Sequence, residues 1–90
     1  MSVKVNIHPN LRHLTDNKEI VEVKGKTVGE CLDNLVKMYP AIKGTLIDKN
    51  GKLFAHADIY VNSESAYPEE LAKPVADGDL IQIVLMLAGG

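Results

Sequence analysis

One stretch of this chain carries a full helical period, and it dictates what the rest can be. Val28, Cys31, Leu32, Leu35, Val36 and Tyr39 fall at i, i+3, i+4, i+7, i+8 and i+11, a single apolar stripe that stops at Pro40. Thr27-Val28-Gly29-Glu30 in front of it has the form of a capping box, with the Thr27 hydroxyl accepting from the Glu30 amide and the Glu30 carboxylate reaching back. A lone amphipathic helix must bury its stripe against something else, and 90 residues hold one core. The remaining apolar residues supply a sheet. Val3, Val5 and Ile7 alternate with Lys4 and Asn6, predicting a strand over 2–8 that Pro9 and Asn10 end. Val21 and Val23 flank Glu22 in a second strand over 20–24. Residues 58–62 make a third, and the run from Leu80 to about Leu87 makes the last.

The connections follow from what lies between. Leu11 to Lys18, polar apart from Leu11 and Leu14, suits a hairpin loop. Ile42, Leu46 and Ile47 around Gly44 predict a short helical turn under the sheet, and Asp48-Lys49-Asn50-Gly51 a turn. Residues 63–79 read as irregular, anchored by Leu71 and Val75, with a tight turn at Ala76-Asp77-Gly78-Asp79. The expected fold is α+β: a mixed sheet of four to five strands, one main helix on one face, and the first and last strands together in the centre, a β-grasp arrangement. The domain is expected to span 1–87, with 88–90 as a flexible tail.

That tail is Ala88-Gly89-Gly90. A Gly-Gly end has no side chain to clash, so it threads a narrow channel and presents a carboxylate that is ionised at neutral pH, with a reference pKa near ~3.5. Chance alone gives such an end in roughly one chain in two hundred, so its weight comes from the strand that feeds it. Alternation along that strand puts Ile81, Ile83 and Leu85 on the helix side and turns Gln82, Val84 and Met86 outward. Outward Val84 and Met86 beside the tail are expected to form an apolar landing site for a partner, Met adapting to more than one.

Other chemistry is poorly provided for. The net charge of −2 and the lack of a basic block argue against nucleic acid or an anionic membrane as partner. No apolar run nears the about 20 residues of a membrane span, and the N-terminus lacks a signal-peptide core, so the cytoplasm is the expected compartment. One cysteine builds neither an internal disulfide nor a zinc or iron–sulfur site, and Cys31 sits on the helix stripe as core. His8, His13 and His56 lack ligand spacing, so no metal site is expected; Asp77 with Asp79 reads as turn chemistry, and Glu69 with Glu70 as a solvated face. There is no phosphate-cradling Gly-rich loop.

Ile59-Tyr60-Val61-Asn62, Ala76-Asp77-Gly78-Asp79, Ile81 and Ile83, and the Ala88-Gly89-Gly90 end together resemble the ubiquitin-like sulfur carriers. These include the small subunit of molybdopterin synthase and the thiamine-pathway carrier, and the order and spacing look most like the carrier that supplies sulfur to cysteine synthesis. The resemblance implies a carrier and co-substrate rather than an enzyme, though a molybdopterin-type chain is counted as a synthase subunit. It binds no cofactor itself. A partner adenylyltransferase related to ubiquitin-activating enzymes uses ATP and magnesium to adenylate the Gly90 carboxylate. A sulfur donor displaces AMP to leave a thiocarboxylate, and the sulfur passes to an acceptor on a synthase. In the cysteine-type pathway a metalloprotease then cuts after Gly90. The free carrier is expected to be a monomer. Two other classes share these residues: a modifier joined to lysines through Gly90, and an interaction domain whose Gly-Gly is incidental.

Overall fold

Residues 2–46 and 57–85 are described by a computed structural model of the chain. Their elements run β1 (Val3–Asn6), β2 (Ile20–Val23), α1 (Val28–Met38), α2 (Lys43–Leu46), β3 (Ala57–Val61), β4 (Glu64–Ser65) and β5 (Leu80–Leu85). Short 3-10 segments occupy Pro9–Leu14, Pro40–Ile42 and Glu70–Ala72. The five strands form one mixed sheet in the order β2-β1-β5-β3-β4. β1 and β5 are parallel, with Val5 opposite Ile81, while β1–β2, β3–β5 and β3–β4 are antiparallel. The first and last strands thus lie side by side within the sheet, as the sequence predicts.

Period-two alternation puts Val3, Val5, Val21, Val23, Ile59, Val61, Ile81 and Ile83 on one face, all buried. Val28, Cys31, Leu32 and Leu35 of α1 close over them, with Val36 and Tyr39 packed partly against the same core. Ile42 and Leu46 seal one end from the short helical turn anticipated there. Ile47 and the Asp48–Gly51 turn signal lie outside the described residues.

Three expectations need correction. The capping box is only half as drawn. Thr27 Oγ1 accepts from the Glu30 amide at 3.1 Å, but the Glu30 carboxylate accepts from the amide of Lys26, one residue before the cap, at 2.8 Å. The Thr27 carbonyl accepts from Cys31 N, and Val28 N donates instead to Lys73 O at 2.9 Å, so a distant segment supplies one helix-end partner. Second, the loop over 11–18 does join antiparallel β1 and β2 as a hairpin connection, but it is not merely polar and irregular. It holds 3-10 structure followed by left-handed Asp16 and Asn17, with Leu11 and Thr15 buried. The Thr15 hydroxyl lies within hydrogen-bond distance of the Arg12 and Lys18 carbonyls, 3.3 and 3.2 Å away, which lets a polar side chain sit inside. Third, residues 63–79 are not wholly irregular. Asn62 and Ser63 both take positive φ (52° and 71°), making a two-residue hairpin turn of the primed type into β4.

Gly25 joins β2 to the helix cap in a space that excludes a side chain. A Cβ there would lie 2.7 Å from Cys31 Sγ and 2.8 Å from the Cys31 backbone nitrogen. Gly25→Ala should therefore lower the unfolding free energy by about 1–3 kcal/mol in urea titrations. Adding Cys31→Ala should restore only part of the loss, because the backbone contact persists. Full restoration would place the conflict on the thiol alone.

Candidate functional site: the strand that delivers the tail

The two motifs singled out in the sequence meet where β5 begins. Leu80 N donates to Asn62 Oδ1 at 3.0 Å, and Asn62 N donates to Leu80 O at 2.8 Å. Asn62 Nδ2 donates to Asp79 Oδ1 at 3.0 Å, and the other Asp79 oxygen accepts from Ala76 N at 2.8 Å. Asp79 N closes the turn onto Ala76 O, with Gly78 at φ 87° in the left-handed region that glycine tolerates. The N-terminal segment is tied in as well: Lys4 N donates to Asp79 O and Gly78 N to Ser2 O, both at 2.9 Å, and Asp77 accepts from Ser2 N at 2.6 Å. These acids hold a turn, as expected of them. The bond from Asn62, then that from Ala76, holds the Asp79 carboxyl below the usual carboxylate range.

From this clamp β5 runs with its alternation fixed. Ile81 and Ile83 are buried, whereas Gln82 and Val84 face the other side of the sheet and are half-buried rather than open. The register lines Gln82 up with Asn6 and Ile20 on one side and with Tyr60 and Ser65 on the other, and puts Val84 opposite Asp58. The β1 ladder reaches Gln82 and the β3 ladder continues to Leu85, so the strand leaves the sheet with a neighbour on one edge. Met86, Ala88, Gly89 and Gly90 lie outside the described residues.

The remaining candidates take structural posts. Cys31 is fully buried, and burial, followed by the charge of Glu30, pushes its thiol up to about 11. His8 Nδ1 accepts from Asn10 N at 3.1 Å and caps the first 3-10 turn. His13 is exposed, and His56 lies outside the described residues. Glu69 is exposed, but Glu70 is half-buried with φ 50°, in the segment whose Leu71 packs over α1 at Gly29. Sequence reasoning missed Asn62 and Asp79 as a linked pair and the flanking places of Asn6, Ile20 and Tyr60. Asn62 ends an apolar run beside a small polar residue, which signals a turn, but nothing local announces a partner 17 positions away.

A mixed five-stranded sheet grasping one main helix, with parallel terminal strands at its middle, defines a ubiquitin-like β-grasp protein. Residues 5–90 match the ThiS family, and the chain belongs to it. It is 37% identical to the sulfur carrier protein CysO of Mycobacterium tuberculosis over the full length of both chains. It is 34% identical to small archaeal modifier protein 1 of Haloferax volcanii over 78% of each chain. Among solved structures, a chain of the BexX/CysO complex of Amycolatopsis orientalis superposes with a TM-score of 0.89 at 36% identity, covering 98% of this chain and 99% of that one.

Two outcomes are expected at these residues. Asp79 has a depressed folded-state pKa, so its contribution to stability is present above the unfolded carboxylate value of about 3.9 and fades as pH falls through the lower folded value. Asp79→Asn should flatten that acid limb in urea titrations across pH, and an unchanged limb would remove the carboxylate from the clamp. Native Cys31 should react with Ellman's reagent at pH 8 only as fast as the fold opens, and at once in denaturant.

Proposed function

We propose that the protein is a cytoplasmic sulfur carrier whose Gly90 carboxylate is adenylated by a partner and converted to a thiocarboxylate. Full-length likeness to a sulfur carrier protein carries this reading, together with a Gly-Gly end fed directly by the central strand. A carboxylate oxygen of Gly90 attacks the α-phosphorus of ATP and pyrophosphate leaves. A sulfur nucleophile then attacks the acyl carbon and AMP leaves, with the C–O bond to AMP broken and a C–S bond formed. The carboxylate alone would lose hydroxide or oxide, a far poorer leaving group, which is why activation is needed. Glycines at 89 and 90 permit close approach of the partner's groups that a Cβ would obstruct. The ATP and magnesium belong to the activating enzyme, and the sulfur goes to an acceptor on a synthase. Likeness to CysO favours cysteine synthesis over pterin or thiamine synthesis, with a metalloprotease releasing the product after Gly90.

Gln82, Val84 and Met86 form the landing site for these partners in this reading. The placement of Gln82 and Val84 on the face away from α1, partly open to solvent and on the strand that precedes Met86 in the sequence, supports it. A second reading, a modifier joined to lysines, is favoured by the likeness to small archaeal modifier protein 1. Both begin with the same adenylate and part at the product.

Intact mass after incubation with ATP, magnesium, sulfide and the cognate activating enzyme should rise by the difference between sulfur and oxygen. The rise should vanish on deleting Gly89-Gly90. Isopeptide-linked high-mass species instead would favour the modifier, and neither product with a demonstrably active enzyme would favour a simple interaction domain. Gly90→Ala should fold normally yet be adenylated at least about tenfold more slowly, a barrier increase of about 1.4 kcal/mol. Val84→Lys, which sets a cation opposite Asp58 rather than a second carboxylate, should slow activation while the native fold is kept, read by urea titration beside the activation rate.

A further inference from the structure

β2 is an edge strand, and its free side is open. Ile7 N donates to Glu19 O at 2.8 Å, so Ile7 and Glu19 are a hydrogen-bonded pair. By the alternation of an antiparallel ladder the Val5/Val21 and Val3/Val23 pairs also face one another through their backbones. The backbone groups of Ile20, Glu22 and Lys24 therefore point away from β1. Asn34 Nδ2 takes the Lys24 carbonyl at 2.6 Å, but among the described residues nothing takes the N–H or C=O of Ile20 or Glu22 on that edge.

Beside this edge, between β2 and the second half of α1, runs a groove of about 530 Å³ lined by Val23, Lys24, Asn34, Lys37 and Met38 among others. A second hollow of about 360 Å³ shares Lys24 and Asn34 and continues it past Lys26 and Glu30. Met38 is 52% exposed at one wall and Ile20 40% exposed on the strand, two of the three large apolar side chains most open to solvent among the described residues. The charges along both hollows are Lys24, Lys26 and Lys37 against Glu22 and Glu30, and the Glu30 carboxylate is already tied to the Lys26 amide. The one ion pair among the described residues joins Arg12 to Glu19 elsewhere, leaving the three lysines without a carboxylate partner there.

We infer that the β2 edge and its lysine-rimmed groove form a docking site for an extended partner segment, a short apolar run flanked by acidic residues. The segment adds as a sixth strand through the outward groups of Ile20 and Glu22 and the Lys24 amide, which supply affinity without reading sequence. Its alternate apolar side chains enter the groove against Val23 and Met38, and its acidic flank meets Lys24, Lys26 and Lys37. The groove lies at the Val3/Val23 end of the sheet, whereas β5 leaves past Asn6 at the other end. About five residue steps separate the two levels, roughly 17 Å along the strands. A partner bound here leaves the landing site of the tail free, and the inference stands whether or not the tail carries sulfur.

The test is an amide-proton NMR titration of the full chain with an acetylated decapeptide of four alternating Val and Ile residues bracketed by Asp and Glu. The expected result is saturable shifts at Ile20, Glu22, Lys24, Lys37 and Met38, a submillimolar dissociation constant that weakens with salt, and binding at least about tenfold weaker for the same peptide with Lys flanks. Lys24→Glu/Lys37→Glu, both exposed positions, should keep the native spectrum and lose at least about tenfold in affinity. Lys24→Arg/Lys37→Arg should keep it. No shifts at millimolar peptide, shifts confined to Gln82 and Val84, or binding indifferent to charge reversal would each overturn the inference. So would concentration-dependent shifts of β2 without peptide, which would assign the edge to a second copy of the chain.

Discussion

The parallel pairing of β1 with β5 is the constraint on which the rest depends. It brings residues 3–6 against residues 80–82, so the first and last described strands cannot form separately. Parallel neighbours cannot be joined by a tight turn, and everything between them is the crossover that the geometry demands. α1 covers one face of that crossover and β3 returns along the other edge of β5. β5, like β1, has both edges of its first half occupied, and in the sequence it is the strand that precedes Gly89-Gly90.

The clamp of Asn62, Asp79 and Leu80 gives that pairing its register. A shift of β5 by one residue would turn Ile81 and Ile83 outward and bury Gln82 and Val84. Asn62 prevents it with three bonds, two to the Leu80 backbone and one to Asp79, while the N-terminal segment holds the same turn through Ser2 and Lys4. The polar residues that made the sequence recognisable therefore act on geometry rather than on chemistry. They decide which side chains of β5 face α1 and which face the other side of the sheet, and at which residue the strand begins.

Much of this was legible in the chain because it rests on periodicity. The stripe from Val28 to Tyr39 could only be a helix, and the alternation of Val3, Val5 and Ile7 or of Ile81 and Ile83 could only be half-buried strands. What escaped reading depends on contacts between distant segments. The Glu30 carboxylate turned to Lys26, and the Val28 amide was satisfied by Lys73, a partner no local pattern announces. The 3-10 turn at Pro9–Leu14 hid because polar residues outnumber its two leucines, of which Leu11 is buried. β4 hid because two residues carry no period, and its turn uses Asn62 and Ser63 at positive φ rather than an Asn-Gly pair. The side of the sheet that Gln82 and Val84 face was readable from alternation, but their depth was not. Gln82 and Val84 sit half-sunk among the neighbouring rows.

The ladder around β5 also has a mechanical meaning. A pull on β5 from its C-terminal end acts along the strand axis, while the hydrogen bonds to β1 and β3 lie across it. Such a load is shared by the rungs together, whereas a peeling load would break them one after another. β5 therefore yields to such a pull only as a whole strand, with its β1 and β3 pairings failing together.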